Sequence, residues 1–281
     1  MRLAIWGCRG SVPTPGQETV RYGGNTSCVE VSLADGTALV LDAGTGIRPL
    51  GFDLLERGVR RIHLLLTHLH LDHLEGLRFF APLWDDGVTL DIWGPPSPVL
   101  SLRERISRSF SPPLFPIDLG DIPARLNFRD VPRHRWTIGC AALDAALVVH
   151  PGPTVGYRVE ADGAVIAYLP DHEPALTSAI EDSSLDWLSG GGIAEGAHLL
   201  LHDAQYSEEE YEDRVGWGHS SVADAVAFTR VVGARRLLLF HHEPVHSDGT
   251  LQDLEARARS LSAPGSIEPM LAREGMVVEL S

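Results

Sequence analysis

One short segment constrains this chain more than any other, because it holds four potential metal ligands within six residues. These four are His68, His70, Asp72 and His73. The apolar residues 61–66 before them predict a buried strand, and on an extended chain the first two imidazoles share one face. The other two side chains lie where a helix is predicted to begin, so they can turn toward a second ion. Neutral imidazole and carboxylate are ligands of catalytic zinc, so the segment predicts a metal centre at a strand end.

Three further candidate ligands each follow a predicted strand later in the chain. They are His150 after residues 145–149, Asp171 after residues 164–170, and His241 after residues 236–240. For any one of them alone, a capping residue or a hydrogen-bonded buried histidine is an equally good interpretation. The repeated pattern of a buried strand followed by a ligand-type residue favours one shared site at the strand ends.

Composition places the chain among ordinary folded proteins and limits its partners. With 281 residues, 44% of them hydrophobic and 22% charged, it can bury a sizeable core without cross-links. Its three cysteines lie far apart and form no CxxC pair, which disfavours a disulfide framework. The formal net charge of −15 disfavours extensive nucleic-acid binding, although bound divalent cations would reverse the field locally.

The chain shows no targeting or membrane signal. No apolar run approaches the roughly 18 residues of a membrane span, so we expect no membrane partner. The first apolar run stops at Gly7, which is too short for the core of a signal peptide. We therefore expect a cytoplasmic protein, and the sequence leaves a homodimer open.

Short predicted strands dominate the chain, with a helix after every few of them. Helices are predicted over residues 73–83, 99–110, 174–188, 221–232 and 251–261. Ser221, with Asp224 three residues later, resembles a capping box at the start of the fourth helix. Residues 189–192 predict a flexible joint. We interpret the proline-rich residues from about 95 to 140 as an elaboration on a single domain that spans residues 1–281.

The order of these ligand types resembles the metallo-β-lactamase superfamily over nearly the whole chain: His-x-His-x-Asp-His, then a lone His, a lone Asp and a late His. Leu41-Asp42-Ala43-Gly44 is similar to the Asp-x-Gly turn that precedes the metal motif in that family. Ile92-Trp93-Gly94-Pro95-Pro96 and Gly218-His219-Ser220 are similar to the branch that holds RNase Z and the cyclic-phosphate phosphodiesterases. Arg21-Tyr22-Gly23-Gly24-Asn25-Thr26-Ser27 resembles the phosphodiesterase-like members of that branch.

The resemblance implies an α/β fold, an αββα sandwich of two mixed β-sheets with helices on the outer faces. It also implies two divalent metal ions, with zinc favoured and manganese or iron(II) as alternatives. The implied ligands are His68, His70 and His150 for one ion, and Asp72, His73 and His241 for the other, with Asp171 bridging them. Each ligand imidazole needs a partner for its other nitrogen, for which Ser220, Thr67 and backbone carbonyls are candidates.

Two further segments supply candidate catalytic groups. His202-Asp203-Ala204-Gln205 resembles the His-Glu-Ala-Thr motif of RNase Z, with Asp in place of Glu and Gln in place of Thr. In that branch the acid pairs with the His of Gly-His-Ser, so the resemblance implies that Asp203 steers His219 to protonate the leaving oxygen. The alternative is that Asp203 caps a strand and His219 packs in a turn. Asp72 would orient the attacking water and accept its proton.

The sequence therefore predicts a dinuclear metal hydrolase, with a phosphodiesterase on a small phosphodiester such as a cyclic nucleotide favoured. A tRNA 3′-processing endonuclease like RNase Z is the first alternative, but the sequence lacks the long basic arm that grips tRNA. A carbonyl hydrolase such as a lactonase is a second, whereas true β-lactamases lack a histidine where His73 stands. A non-catalytic metal-binding signalling module is the last.

Overall fold

Two packed β-sheets form the centre of the molecule. The computed structural model describes residues 1–176, 180–262 and 267–280, and within these the strands form two seven-stranded sheets. The first sheet contains β1 (Arg2–Gly7), β2 (Cys28–Ser32), β3 (Ala38–Leu41), β4 (Arg61–Leu65), β5 (Thr89–Gly94), β6 (Arg125–Asp130) and β14 (Val277–Glu279). The second contains β7 (Trp136–Ile138), β8 (Ala141–Leu147), β9 (Val155–Ala161), β10 (Ala164–Leu169), β11 (Leu199–Asp203), β12 (Arg236–Phe240) and β13 (Glu268–Leu271). The spatial order is β14-β1-β2-β3-β4-β5-β6 in the first and β13-β12-β11-β10-β9-β8-β7 in the second.

Helices cover the outer faces of both sheets. The described helices are α1 (Ile47–Glu56), α2 (Leu102–Ser107), α3 (Gly191–Ala194), α4 (Glu208–Glu212), α5 (Val222–Val231) and α6 (Asp248–Leu261). A central core of buried residues from both sheets, Phe240 among them, lies between the sheets. Separate apolar clusters pack α5 and α6 on the second sheet, through Phe228 and Leu251, and α1 and α2 on the first, through Leu50 and Ile106. The predicted αββα sandwich of two mixed sheets is confirmed.

The candidate site residues meet because several strand ends lie at the same edge of the sandwich. β3 and β4 are parallel, and so are β10, β11 and β12. β8 runs in the same direction as β10, since each is antiparallel to β9. Open α/β sheets place their ligand sites outside such carboxyl ends. His150, Asp171 and His241 follow β8, β10 and β12 at that edge.

The helix predicted over residues 73–83 is wrong. The chain there forms three short 3₁₀ turns, Leu71–His73, Glu75–Phe79 and Ala81–Trp84. The His73 carbonyl accepts a hydrogen bond from the Ala43 N–H, and the Gly76 N–H donates to the Ala43 carbonyl. These bonds occupy backbone groups that an α-helix would pair four residues along the chain. The segment is therefore held against the loop after β3 and not wound as a helix.

The helix predicted over residues 174–188 is also wrong where the chain is described. Residues 177–179 lie outside the described part, and 3₁₀ turns occupy Ile180–Asp182 and Leu185–Trp187. Of residues 189–192, which were predicted as a flexible joint, Gly191 and Gly192 begin the short helix α3, whose N-cap Gly190 has a left-handed φ of 70°. α2, α5 and α6 confirm the other predicted helices, and Ser221 and Asp224 form the predicted capping box.

The proline-rich residues 95–140 contribute to both sheets. β6 extends the first sheet and β7 the second, and the sequence predicted neither of them. α1 was likewise not predicted, although its buried face includes Ile47, Leu50 and Leu54. Among the described helices, none is both long enough and apolar enough to cross a lipid bilayer.

Candidate metal centre

All the ligand candidates of the sequence meet in one cluster. Within each of two groups the ligand atoms lie within 4.8 Å of one another. The first group is His68, His70 and His150, and the second is Asp72, His73, Asp171 and His241. Every member of the second group is buried, whereas His70 in the first is exposed. The structure thus brings together the residues that the resemblance implies, and their role as ligands stays a prediction.

Asp171 lies between the two groups. Its Oδ1 is 3.8 Å from His68 Nε2 and 3.8 Å from His150 Nε2. The same oxygen is 3.2 Å from His241 Nε2, and Oδ2 is 3.0 Å from His73 Nε2. A carboxylate in this position faces both groups at once, as a bridging ligand must.

The arrangement of the ring nitrogens fits a pair of cations. His70 Nδ1 lies 3.2 Å from His150 Nε2, and His73 Nε2 lies 3.4 Å from His241 Nε2. His68 Nε2 is buried and has no hydrogen-bond partner among the described residues. A buried polar atom without a hydrogen-bond partner raises the free energy of the folded state. Two facing nitrogen lone pairs repel each other unless a proton or a cation lies between them. Imidazoles and carboxylates are donors to divalent transition metals, so these residues fit a pair of such ions.

Burial and charge create two kinds of histidine in the cluster. Burial lowers the pKa of His68 well below its usual value, and it also lowers the pKa of His70 and of His150. These rings are therefore neutral, which is the form that binds metals. Burial would also lower the pKa of His73, but neighbouring carboxylates, Asp171 foremost, raise it well above its usual value. The carboxylates thus favour a positive charge at this ring, which a bound cation would supply.

Asp42 holds two of the candidate ligands from behind. It follows β3 with a φ of 61°, a left-handed conformation that residues other than glycine adopt rarely. Its Oδ2 accepts hydrogen bonds from His73 Nδ1–H at 2.9 Å and from the Tyr168 hydroxyl at 3.0 Å. The Thr67 hydroxyl donates to the same carboxylate and accepts from His68 Nδ1–H at 3.0 Å. Because Nδ1 of each ring is held, Nε2 faces the cluster.

Two other ligand candidates are held by groups from the second half of the chain. The Gly218 carbonyl accepts a hydrogen bond from His150 Nδ1–H at 2.9 Å. Gln205 Oε1 accepts from His241 Nδ1–H at 3.1 Å. Since Gln205 Nε2 donates to the Glu243 carboxylate, the amide oxygen is the end that faces the ring. The sequence marked Gln205 only as a departure from a motif, without a role.

Ser220, a sequence candidate for holding a ligand imidazole, has a different partner. Its hydroxyl donates to the His172 carbonyl at 2.5 Å. The loop before it is held by the buried carboxylate of Glu173, which accepts from the Gly216 and Gly218 N–H groups, both at 2.8 Å. Glu173 thereby fixes the carbonyl that holds the third histidine of the first group. The sequence gives no signal for Glu173 beyond its place just after a candidate ligand.

Asp203 and His219 form a close pair beside the cluster. His219 Nδ1–H donates to Asp203 Oδ2 at 2.6 Å, and the His219 ring stacks on the His241 ring with centroids 4.9 Å apart. The buried Asp203 also accepts from the Gln205 and Ser220 N–H groups, at 3.0 and 3.1 Å. Asp203 therefore caps the end of β11 and also holds the His219 ring, and the role of His219 as a proton donor stays a prediction.

The pair sets the charge of the His219 imidazole. Burial would lower the pKa of His219, but the charge of Asp203 and its hydrogen bond raise that pKa to about 9. The ring is therefore protonated at neutral pH. A protonated imidazole beside the cluster of candidate ligands can donate a proton to a leaving group.

Asp72 is positioned by the loop after β1. The Ser11 N–H donates to Asp72 Oδ2 at 2.7 Å, and Ser11 has a positive φ of 57°. The same carboxylate oxygen lies 3.3 Å from His73 Nε2 and 3.2 Å from His241 Nε2. Burial would raise the pKa of Asp72, but the neighbouring histidines, His73 foremost, hold it below its usual value. Asp72 is therefore ionised, as a metal ligand must be.

A cleft of about 480 Å³ opens beside His68 and His70, and we call it the site cleft. Its lining includes Leu71, Leu114, Arg105 and Arg108. The two arginines belong to α2 and its C-cap, within the proline-rich residues 95–140. The elaboration that the sequence indicated thus forms part of the wall beside the candidate metal centre.

A family model described as a beta-lactamase superfamily domain matches residues 37–242, which is more than half of the chain. The chain belongs to the beta-lactamase superfamily. Among curated relatives, Ribonuclease Z from Haloarcula marismortui is 26% identical over 277 residues, with 86% of each chain covered. Among solved structures, the metallo-β-lactamase fold protein YhfI from Bacillus subtilis has a TM-score of 0.71 at 17% identity, covering 99% of this chain and 98% of that one. A diphosphatase from the PhnP family has a TM-score of 0.70 at 18% identity, covering 100% of this chain and 98% of that one.

Membership of the beta-lactamase superfamily confirms the family that the sequence indicated. The two solved structures are similar to this chain in fold. The chain is a hydrolase of this superfamily, and its histidine and aspartate cluster fits a site for divalent metal.

Proposed function

We propose that this superfamily member is a dinuclear metal-dependent phosphodiester hydrolase that acts on a small phosphodiester such as a cyclic nucleotide. The observation that carries the proposal is the Asp203–His219 pair, whose 2.6 Å hydrogen bond lies directly against the metal cluster. The alkoxide that leaves a phosphodiester is a strong base, so a positioned acid accelerates its departure. A module that only stores or senses metal needs no such acid.

The proposed ligands are those of the two groups in the cluster. His68, His70 and His150 would hold one ion, and Asp72, His73 and His241 the other, with Asp171 shared. When bound, a pair of divalent ions would supply Lewis-acid stabilisation of the phosphoryl group and a water that is nucleophilic at neutral pH. Zinc is favoured because imidazole dominates the donor set, and manganese and iron(II) remain alternatives.

The protein groups around the ligands have separate tasks in this proposal. His219 gives its proton to the leaving oxygen, and Asp203 holds its ring and favours its charged form. Asp72 orients the attacking water. A carboxylate with a lowered pKa is a weak base, so orientation contributes more from Asp72 than proton removal does.

The preference for a small substrate rests on the size and surroundings of the site cleft. Its volume of about 480 Å³ is within the range of clefts that hold small molecules. The net charge of −15 opposes the approach of a polyanion outside the immediate site.

A tRNA 3′-processing endonuclease is the second candidate, because curated relatives are named Ribonuclease Z. The described residues 95–140 supply α2, β6 and β7 to the sandwich, and within them we find no projecting basic arm. This observation favours the hypothesis of a small substrate over the hypothesis of a tRNA substrate.

The experiment that tests the proposal measures four substrates side by side with protein loaded with zinc or manganese. They are bis(p-nitrophenyl) phosphate, cyclic AMP, a precursor tRNA and a homoserine lactone. Hydrolysis of the first two, without tRNA cleavage or lactone opening, supports the proposal. Cleavage of the precursor tRNA alone would establish the second candidate, and lactone opening alone would establish a carbonyl hydrolase. If no substrate is turned over while metal is bound, the metal-binding module is the better account.

Three further properties accompany the proposal as predictions. We propose that residues 1–281 act as one catalytic unit, because both sheets contribute ligand candidates. A cytoplasmic location and a homodimeric state are tested by cell fractionation and by analytical ultracentrifugation.

A further inference from the structure

The walls of the site cleft have an unusual charge for this protein. The chain has 38 acidic residues against 23 lysines and arginines. Among the described residues that line the site cleft, however, there is no Asp or Glu, and two of the lining residues are Arg105 and Arg108. In an acidic protein, a carboxylate-free wall with two arginines is a local surface suited to an anion.

The two arginines differ in what already binds them. Arg105 donates to the Pro95 carbonyl at 2.6 Å and lies 3.6 Å from the Asp130 carboxylate. Its side chain is only 14% exposed, so Arg105 serves mainly to hold this segment together. Arg108 is exposed, and its guanidinium has no ion pair or side-chain hydrogen bond within the described part of the chain. Arg108 is therefore the cation of the cleft that is free to bind a ligand.

The rest of the lining is apolar. Leu71 is 67% exposed and Leu114 is 68% exposed, and both line the site cleft. Pro151 and Pro153 lie on the same surface. Large apolar side chains that stay exposed in a cleft of this size are typical of a site that covers them with the organic part of a ligand.

Charge balance separates Arg108 from the reacting phosphate. Two divalent ions would carry +4 against the carboxylates of Asp42, Asp72 and Asp171. The Asp203–His219 ion pair adds no net charge, so +1 is left at the cluster for a phosphodiester of charge −1. The reacting group therefore has its counter-charge without Arg108, whose guanidinium remains for a different anion.

We propose that the site cleft binds the organic group of the substrate against Leu71 and Leu114, and that Arg108 binds a second anionic group. The substrate class is then a nucleotide-sized phosphodiester that carries a further phosphate. This inference rests on the proposed phosphodiester hydrolysis and specifies its substrate.

The test compares two substrates that differ in one phosphate. They are the p-nitrophenyl ester of thymidine 5′-phosphate and the same ester with a 3′-phosphate. The readout is the ratio of their kcat/KM values with metal-loaded protein. A charge-assisted hydrogen bond predicts a ratio of roughly 10 to 100 in favour of the second ester for the natural sequence.

Two variants identify the residue responsible. Arg108→Gln should reduce the ratio to about one, and Arg108→Lys should restore part of it, because lysine keeps the charge without the bidentate geometry. Arg103→Gln is the matched control. Arg103 lies on α2, is exposed and faces the Phe128 ring at 5.4 Å, and it does not line the site cleft. It should leave the ratio unchanged.

The outcomes distinguish an error in the proposed anion site from an error in the proposed hydrolase function. If both esters are hydrolysed equally well by the natural sequence, the second anion site is wrong and the hydrolase stands. If neither ester nor bis(p-nitrophenyl) phosphate is hydrolysed, the proposed function is wrong. Calorimetric measurement of thymidine 3′,5′-bisphosphate binding then tests the anion site in the cleft without requiring any hydrolysis. Weakening of about tenfold by Arg108→Gln, but not by Arg103→Gln, supports the site, and equal affinities overturn it.

Discussion

The amide oxygen of Gln205 lies 3.1 Å from Nδ1 of His241, and this contact decides which nitrogen of the ring faces the other candidate ligands. Gln205 in turn donates to Glu243, so the amide cannot reverse without losing that bond. The sequence has glutamine here where the motif it resembles has threonine. A longer side chain thus reaches the ring from the end of β11.

Removing the Gln205 hydrogen bond should lower the affinity of the protein for one metal ion and leave its affinity for the other unchanged. Gln205→Leu leaves the Nδ1–H of His241 without its acceptor, and loss of such a partner typically costs ten- to a hundredfold in metal affinity. We expect that loss at one of two sites, measured by chelator competition. Gln252→Leu, on an exposed position of α6, is the control and should bind both ions normally. Equal affinities in the two variants would contradict the orienting role of Gln205.

His68→Ala should remove metal and activity together. His68 is buried, and its Nε2 has no hydrogen-bond partner within the described part of the chain, so this nitrogen is left to bind an ion. Metal content by plasma mass spectrometry should fall by about one ion per chain, and turnover should fall to background. The control is the exposed His134→Ala, which should retain both. Normal metal content in His68→Ala would exclude this residue as a ligand.

His219→Ala should keep both metals and lower kcat by roughly 10² to 10⁴, the usual contribution of a general acid. The loss should depend on the leaving group. p-Nitrophenolate leaves without help, whereas an alkoxide needs the proton, so a methyl phosphodiester should suffer far more than bis(p-nitrophenyl) phosphate. Equal losses on the two substrates would indicate that His219 orients the substrate and does not donate a proton.

The pH dependence of kcat should follow the protonation state of His219, which Asp203 controls. Asp203 raises the pKa of His219 to about 9, so the acid form exists below that pH and is lost as the pH rises through it. Asp203→Asn removes the charge, lowers that pKa and should move the alkaline limb of the profile to lower pH. Asp203→Glu keeps the charge and should leave the limb in place. An unchanged limb in Asp203→Asn would assign it to another group.

Glu173→Gln should destabilise the loop before His219. The carboxylate accepts from two backbone N–H groups and from the Tyr211 hydroxyl at 2.6 Å, and an amide cannot accept at both ends. A buried donor left unpaired costs about 1 to 3 kcal/mol in the free energy of unfolding. Urea unfolding of the variant against Glu209→Gln, an exposed position on α4, measures this difference. A difference below about 0.5 kcal/mol would show that the loop does not depend on Glu173.

Several features were predictable because they depend on short stretches of chain. The strand before His68 and the strand before His241 follow from apolar runs of strand length, and Ser221 with Asp224 is a local capping pattern. The prediction of a helix over residues 73–83 was wrong because this segment depends on residues that are distant in the chain. Its apolar residues do have helical spacing, but backbone groups of the loop after β3 form hydrogen bonds with the segment.

The sequence by itself determined the kinds of ligand, their order and the strands that end in them, because these follow from local composition and periodicity. Only the tertiary structure decided that Asp171 lies between the two groups, that Gln205 and Gly218 hold His241 and His150, and that Arg108 faces a cleft beside His68. The physical reason is that each of these contacts joins residues far apart in the chain. Such partners depend on how the two sheets pack, which local patterns do not specify.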